Sequence, residues 1–70
     1  MTVVVPTVVV NGSARELAAG CTVAQLVVAE GVAERGIAVA IDGAVLPRGR
    51  WADEVPDGAV VEIVTAVQGG

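Results

Sequence analysis

Hydrophobic and polar residues change rhythm several times along the chain, and each change marks an element. The opening run, MTVVVPTVVV, is apolar at nearly every position and breaks at Asn11-Gly12. Asn-Gly suits a tight type I′ turn, which needs positive φ at both central residues. Residues around 3–11 and 13–18 therefore predict a β-hairpin, although its first arm is too uniformly apolar to give a register. From Thr22 the spacing becomes helical. Val23, Leu26 and Val27 fall on one face, Thr22 stands where an N-cap belongs, and Gln25 follows three residues later, as a capping box requires. Gly31 is expected to end this helix, with VAERG adding an irregular turn. Because Val is β-branched, the helix is weak alone and must pack on a sheet.

The segment IAVAIDGAVLP reads as a second hairpin, turned at Asp42-Gly43 and stopped by Pro47. RGRWADEVPDG is a polar connection that closes on a turn at Asp57-Gly58. The last strand, AVVEIVTAV, alternates. Val61, Ile63 and Val67 share one face, and Val60, Glu62, Val64 and Ala66 the other. An unpaired Glu62 should not be buried, so its face is the outer one. The order hairpin, helix, hairpin, connection, strand implies an α+β architecture, a small mixed sheet packed on one helix.

Composition sharpens this picture. Seventy residues make one small domain, residues 1–70, with a flexible tail expected at about 67–70. Hydrophobic residues make up 54% of the chain, and Trp51 is the only aromatic, so the core must be built from Val, Ala, Leu and Ile. Trp51 is expected to cover one edge of that core, although Trp is also a common anchor for partners. The single Cys21 rules out an internal disulfide and points to a reducing, cytoplasmic setting. No basic leader precedes the apolar start, and no apolar run is long enough to span a bilayer. A net charge of −4, with four Arg and no Lys, argues against nucleic-acid binding.

Catalytic chemistry is largely missing. Without His the commonest general base is absent, and without Cys or His clusters zinc is excluded. No phosphate-binding glycine loop occurs, and without Lys neither a Schiff base nor lysine-linked chain building is open to this protein. Cys21 precedes the helix, where the helix dipole can lower a thiol pKa, but it has no basic neighbour. A partly buried turn residue is the better reading. Asp53, Glu54 and Asp57 read as a solvated loop rather than an acid–base pair, and Arg48 and Arg50 as solvated cations.

The sequence finishes VTAVQGG. Glycine stabilises no strand and loses the most backbone entropy on ordering. A Gly-Gly end is useful where a chain must thread a channel too narrow for a Cβ and deliver an α-carboxylate, here that of Gly70. A frayed terminus is the alternative.

Taken together, the element order, AIDGAVLPRGRW, PDGAVVEIVTAVQGG and the compact length resemble the ubiquitin-like β-grasp sulfur carriers, more narrowly those that serve thiazole formation in thiamin biosynthesis. The resemblance covers essentially the whole chain. It implies that an E1-like adenylating enzyme uses MgATP to activate the Gly70 carboxylate. It also implies that a sulfur donor, such as a cysteine desulfurase or rhodanese, converts Gly70 to a thiocarboxylate, and that thiazole synthase takes the sulfur. The chain itself would be carrier and substrate rather than enzyme, and would bind no cofactor or metal. Val67, Gln68 and Gly69 match the tail that enters the partner's active site. Glu62, Val64 and Ala66 match the face on which β-grasp proteins dock their activating enzymes. The start departs from the family: MTVVVPT is a few residues longer, with Pro6 within it. Alternatives are a carrier for molybdopterin or cysteine synthesis, or a ubiquitin-like binding module or modifier.

Overall fold

The computed structural model describes residues 5–32 and 35–65. Strands β1 (Thr7–Val10) and β2 (Ser13–Glu16) form the first hairpin, α1 (Val23–Ala29) follows, and β3 (Ile37–Ile41) and β4 (Ala44–Leu46) form the second hairpin. A 3-10 turn (Arg48–Arg50) precedes β5 (Val60–Thr65). The sheet order is β2-β1-β5-β3-β4, with β1 parallel to β5 and the other neighbours antiparallel. This mixed five-stranded sheet with one helix across it is the β-grasp arrangement expected from the sequence.

Both hairpins turn where Asn-Gly and Asp-Gly predict. Asn11 and Gly12 have φ of 48° and 84°, and Asp42 and Gly43 of 50° and 85°, the paired positive values of type I′ turns. The first hairpin is shorter than expected. β2 stops at Glu16 instead of reaching residue 18, because Leu17 turns into the core. β1 begins immediately after Pro6, whose ring removes the N–H a ladder would need, while its carbonyl still accepts from the Leu17 N–H. The first residues of the predicted first arm lie outside the described residues.

The helix bears out its sequence signals. Thr22 Oγ1 accepts from the Gln25 N–H, and the Gln25 side chain accepts from the Thr22 N–H, a complete capping box. Val23, Leu26 and Val27 are buried. Gly31, at φ 75°, closes the end with its N–H on Val28. Replacing Thr22 by Ala should cost about 1 kcal/mol. A thermal melt should show this as a midpoint lowered by roughly 4–8 °C.

The polar connection is more structured than its composition implies. The first-turn N–H groups of α1 need acceptors outside the helix. The Val23 N–H donates to the Asp53 carbonyl and the Ala24 N–H to that of Trp51, while the Val55 N–H returns a bond to Cys21. These bonds strap residues 51–55 to the helix start, beside a bridge between Thr22 and Glu54. The strap carries Trp51 and Val55 into a core that also holds Val8, Val10, Leu17, Val23, Leu26, Val27, Val39, Ala59, Val61 and Ile63.

Trp51 takes the core role, 6% exposed, with its indole N–H on the Leu46 carbonyl. Arg48 is not simply solvated: its guanidinium lies 4.4 Å from the centre of the Trp51 ring. Arg50 is exposed and pairs with Asp53 at 2.7 Å. Asp57 also does more than line a loop, since its Oδ1 accepts the Thr7 N–H at the start of β1.

Candidate functional site

The candidate site is the outer face of β5 together with the segment that follows it. β5 alternates as predicted: Val61 and Ile63 point into the core, while Val60, Glu62 and Val64 face out. Cross-strand register builds the surface around Glu62. Ala40 of β3 stands opposite Glu62 and Val45 of β4 opposite Ala40; Ala38 lies opposite Val64, and Val9 of β1 beside Val60. Val45, Val64, Val60 and Val9 are 73%, 55%, 47% and 37% exposed. Single exposed valines need no explanation, but several on one sheet face make a patch of the kind that marks interaction surfaces. Glu62 supplies a carboxylate at its centre, and Glu16, opposite Thr7, another towards the β2 edge. Among the described residues of the five strands, the charges on this face are acidic. Arg15 falls on the opposite face and pairs with Glu30 at the helix end, 3.1 Å away.

Of the residues singled out from the sequence, Glu62 and Val64 sit two apart on this face. Ala66, Val67, Gln68, Gly69 and Gly70 lie outside the described residues. The sheet itself positions what precedes them: β5 runs along its centre to Thr65, held by β3 through the pair Ile37 and Thr65.

Two residues read from the sequence only as turn formers also grip β5. The Asp42 N–H donates to the Val60 carbonyl at 2.8 Å, and Asp42 Oδ1 accepts the Val60 N–H at 2.9 Å. On the other flank the Asn11 N–H reaches the Val61 carbonyl at 2.9 Å. Its side-chain amide then takes both backbone groups of Ile63: Oδ1 accepts the N–H at 2.8 Å, and Nδ2 donates to the carbonyl at 3.2 Å. The available signal was the choice between two turn formers. Only Asn offers a donor and an acceptor together; a carboxylate such as that of Asp42 offers acceptors alone.

Away from this face, an open groove runs between α1 and the segment after β2, lined by Leu17, Ala18, Cys21, Ala24, Val28 and Ala29 among others. Cys21 is half-buried, and its Sγ–H donates to the Thr22 carbonyl at 3.4 Å. Burial pushes the Cys21 thiol up, opposite to the lowering a helix dipole could give. In the folded chain Cys21 should therefore alkylate more slowly at pH 8 than a free thiol, and in urea at the free rate. The same shift works against stability in alkali. The folded state holds the thiol proton more tightly, so this contribution is complete below the ordinary value of 9.0 and is lost as pH rises past it. Among the described residues, no His, Cys, Asp and Glu side chains cluster to hold a metal ion, and no helix is long and apolar enough to cross a membrane.

Comparison with known proteins agrees with this architecture. The sequence model of the ThiS family matches residues 8–70. Among solved structures, the chain is similar to the thiamine biosynthesis protein ThiS from Geobacter metallireducens. The two are 31% identical and superpose with a TM-score of 0.73, over 91% of this chain and 99% of that one. No curated protein matches the chain.

Proposed function

The chain belongs to the ThiS family, and from that membership we propose that it is the sulfur carrier for thiazole formation in thiamin biosynthesis. The observation that carries the reading is the family match, which runs through the Gly-Gly at residues 69 and 70. The mechanism follows from carboxylate chemistry. A carboxylate is a poor electrophile. In the active site of an E1-like enzyme, an oxygen of the Gly70 carboxylate attacks the α-phosphorus of MgATP. The new P–O bond forms as the bond to the β-phosphate breaks, and pyrophosphate leaves. The acyl adenylate is a good electrophile. A sulfide-level nucleophile attacks its carbonyl carbon; where the donor enzyme holds its sulfur as a persulfide, a thiol first releases it as sulfide and is itself oxidised to a disulfide. The C–S bond forms, the C–O bond to AMP breaks, and a proton is released. The thiocarboxylate is a soft anion at neutral pH, suited to attack a carbon electrophile in thiazole synthase.

Each part of the chain then has a task. Gly70 bears the group, and Val67, Gln68 and Gly69 thread the partner's channel, where a Cβ would obstruct. Glu62, Val64 and Ala66 belong to the docking surface. An apolar patch with acidic groups at its centre and edge suits a partner surface that is itself apolar and carries basic side chains. The absence of His and Lys fits a protein on which chemistry is performed by others.

The test is intact-protein mass spectrometry of the chain isolated under reducing conditions from cells that make the pathway. The expected result is a fraction heavier by one sulfur-for-oxygen exchange, localised to Gly70 by fragmentation. A terminus that stays unmodified when an activating enzyme, MgATP and a sulfur source are supplied would count against the reading.

A further inference from the structure

We propose that Asn11 is a positioning residue for the carboxyl-terminal segment, its side-chain amide serving as the missing strand partner that sets the direction in which the chain leaves the sheet. The inference rests on the sulfur-carrier reading and deepens it. β1 pairs with β5 only at Val9 with Val60 and Val10 with Val61. Beyond that point the backbone turns away through Asn11-Gly12 into β2, while β5 continues to Thr65. Ile63 would therefore present a bare N–H and carbonyl on this flank. A longer parallel β1 would have filled them with the carbonyl of one residue and the N–H of the residue two further on, and the Asn11 side chain supplies both groups in their place, at 2.8 and 3.2 Å. The Asn11 main chain holds Val61 at the same time, so one residue fixes two successive outward groups of the strand.

The position of the clamp gives it leverage. Gly70 is seven residues beyond Ile63. A threaded segment of that length spans about 24 Å when extended. Over such an arm, a change of about 5° in exit direction displaces the carboxylate by about 2 Å, and misplacement of about 1 Å can cost a reaction about a hundredfold. A partner that grips the outer face of the sheet and also receives Gly70 depends on the strand between them being rigid. Asp42 is the natural comparison. It clamps the same strand from an equivalent turn, but at Val60, the far end from Gly70. Its bonds hold the sheet together without bearing on the exit direction.

The experiment uses the full chain with a purified E1-like adenylating enzyme of the thiamin pathway and MgATP, following pyrophosphate release. Asn11→Gly keeps the positive φ of the turn and removes the clamp. Asn11→Asp keeps the acceptor and removes the donor. Asp42→Gly removes the clamp at the other end. For Asn11→Gly, kcat should fall about a hundredfold while KM stays within about twofold, because the docking face is untouched. Hydrogen exchange at the Ile63 amide should quicken while that at Val39 does not. Asn11→Asp should fall between, and Asp42→Gly should lower the melting temperature with kcat unchanged. An unchanged kcat in Asn11→Gly would overturn the proposal and leave Asn11 a turn former and strand lock. So would equal losses of kcat in Asn11→Gly and Asp42→Gly, which would mark a general loss of stability. If Asn11→Gly fails to fold, Asn11→Asp against Asp42→Gly decides on the same two criteria. Failure of the wild-type chain to be adenylated would remove the sulfur-carrier reading itself and the proposal with it.

Discussion

Removal of Gly70 is expected to abolish ATP-dependent adenylation, by more than about a thousandfold, and to leave the thermal midpoint within about 2 °C of the intact chain. The two halves of this expectation have separate physical grounds. Among the described residues the buried side chains that hold the fold run from Val8 to Ile63, and Gly70 has no side chain with which to join such a core. In the proposed reaction the nucleophile towards MgATP is the Gly70 carboxylate. Truncation moves the terminal carboxylate back by one residue, about 3.5 Å along an extended chain. That distance is enough to lose in-line attack, and a thousandfold loss corresponds to about 4 kcal/mol of transition-state stabilisation. Pyrophosphate release and a thermal melt on the same sample check both halves. Retained adenylation would refute the assignment of Gly70. A lost fold would show that the terminus supports the sheet in a way its composition does not suggest.

The largest effect on stability is expected from Leu26→Ala, about 3 kcal/mol. Leu26 is 1% exposed and is the largest of the fully buried side chains. It lies on a helix of seven residues, too short to be stable except by packing. For a domain of this size the loss should lower the midpoint by roughly 12–24 °C. Urea unfolding should show a lower midpoint with an unchanged slope, the sign that the fold is weaker but not different. A loss below about 1 kcal/mol would mean that the helix relaxes onto the sheet and closes the cavity.

How far the sequence could be read depended on the range of the interaction. Turns and caps are local, so Asn11-Gly12, Asp42-Gly43 and Thr22 with Gln25 were legible from the residues alone. The faces of β5 were legible because a carboxylate at Glu62 forces the choice of side. The ordered strap at residues 51–55 was not, because what orders it is the set of unpartnered N–H groups at the start of α1, some thirty residues earlier in the chain. The Asn11 clamp was hidden for the same reason: Ile63 lies 52 positions away. Cys21 was legible as a partly buried turn residue, and burial rather than the helix dipole sets the direction of its shift. Of the candidate face, the alternation of β5 placed Val60, Glu62 and Val64 from the sequence, while Val9 and Val45 needed the register of four strands.

That register also governs how the molecule can assemble. β1 and β3 never touch as partners; each meets only its own hairpin mate and β5. The two hairpins are thus separate pieces until the strand at residues 60–65 inserts between them. Every pairing that unites the sheet joins that late segment to an earlier one, so the entropy of closing long loops is met before most of the stabilising contacts form. A nascent chain can shape both hairpins as it emerges, yet it has no common core until β5 is free. The segment that leads to the proposed reactive end is therefore the keystone of the fold, and a chain interrupted before it is left with open hairpin edges, a substrate for proteolysis rather than a competitor for the proposed partners.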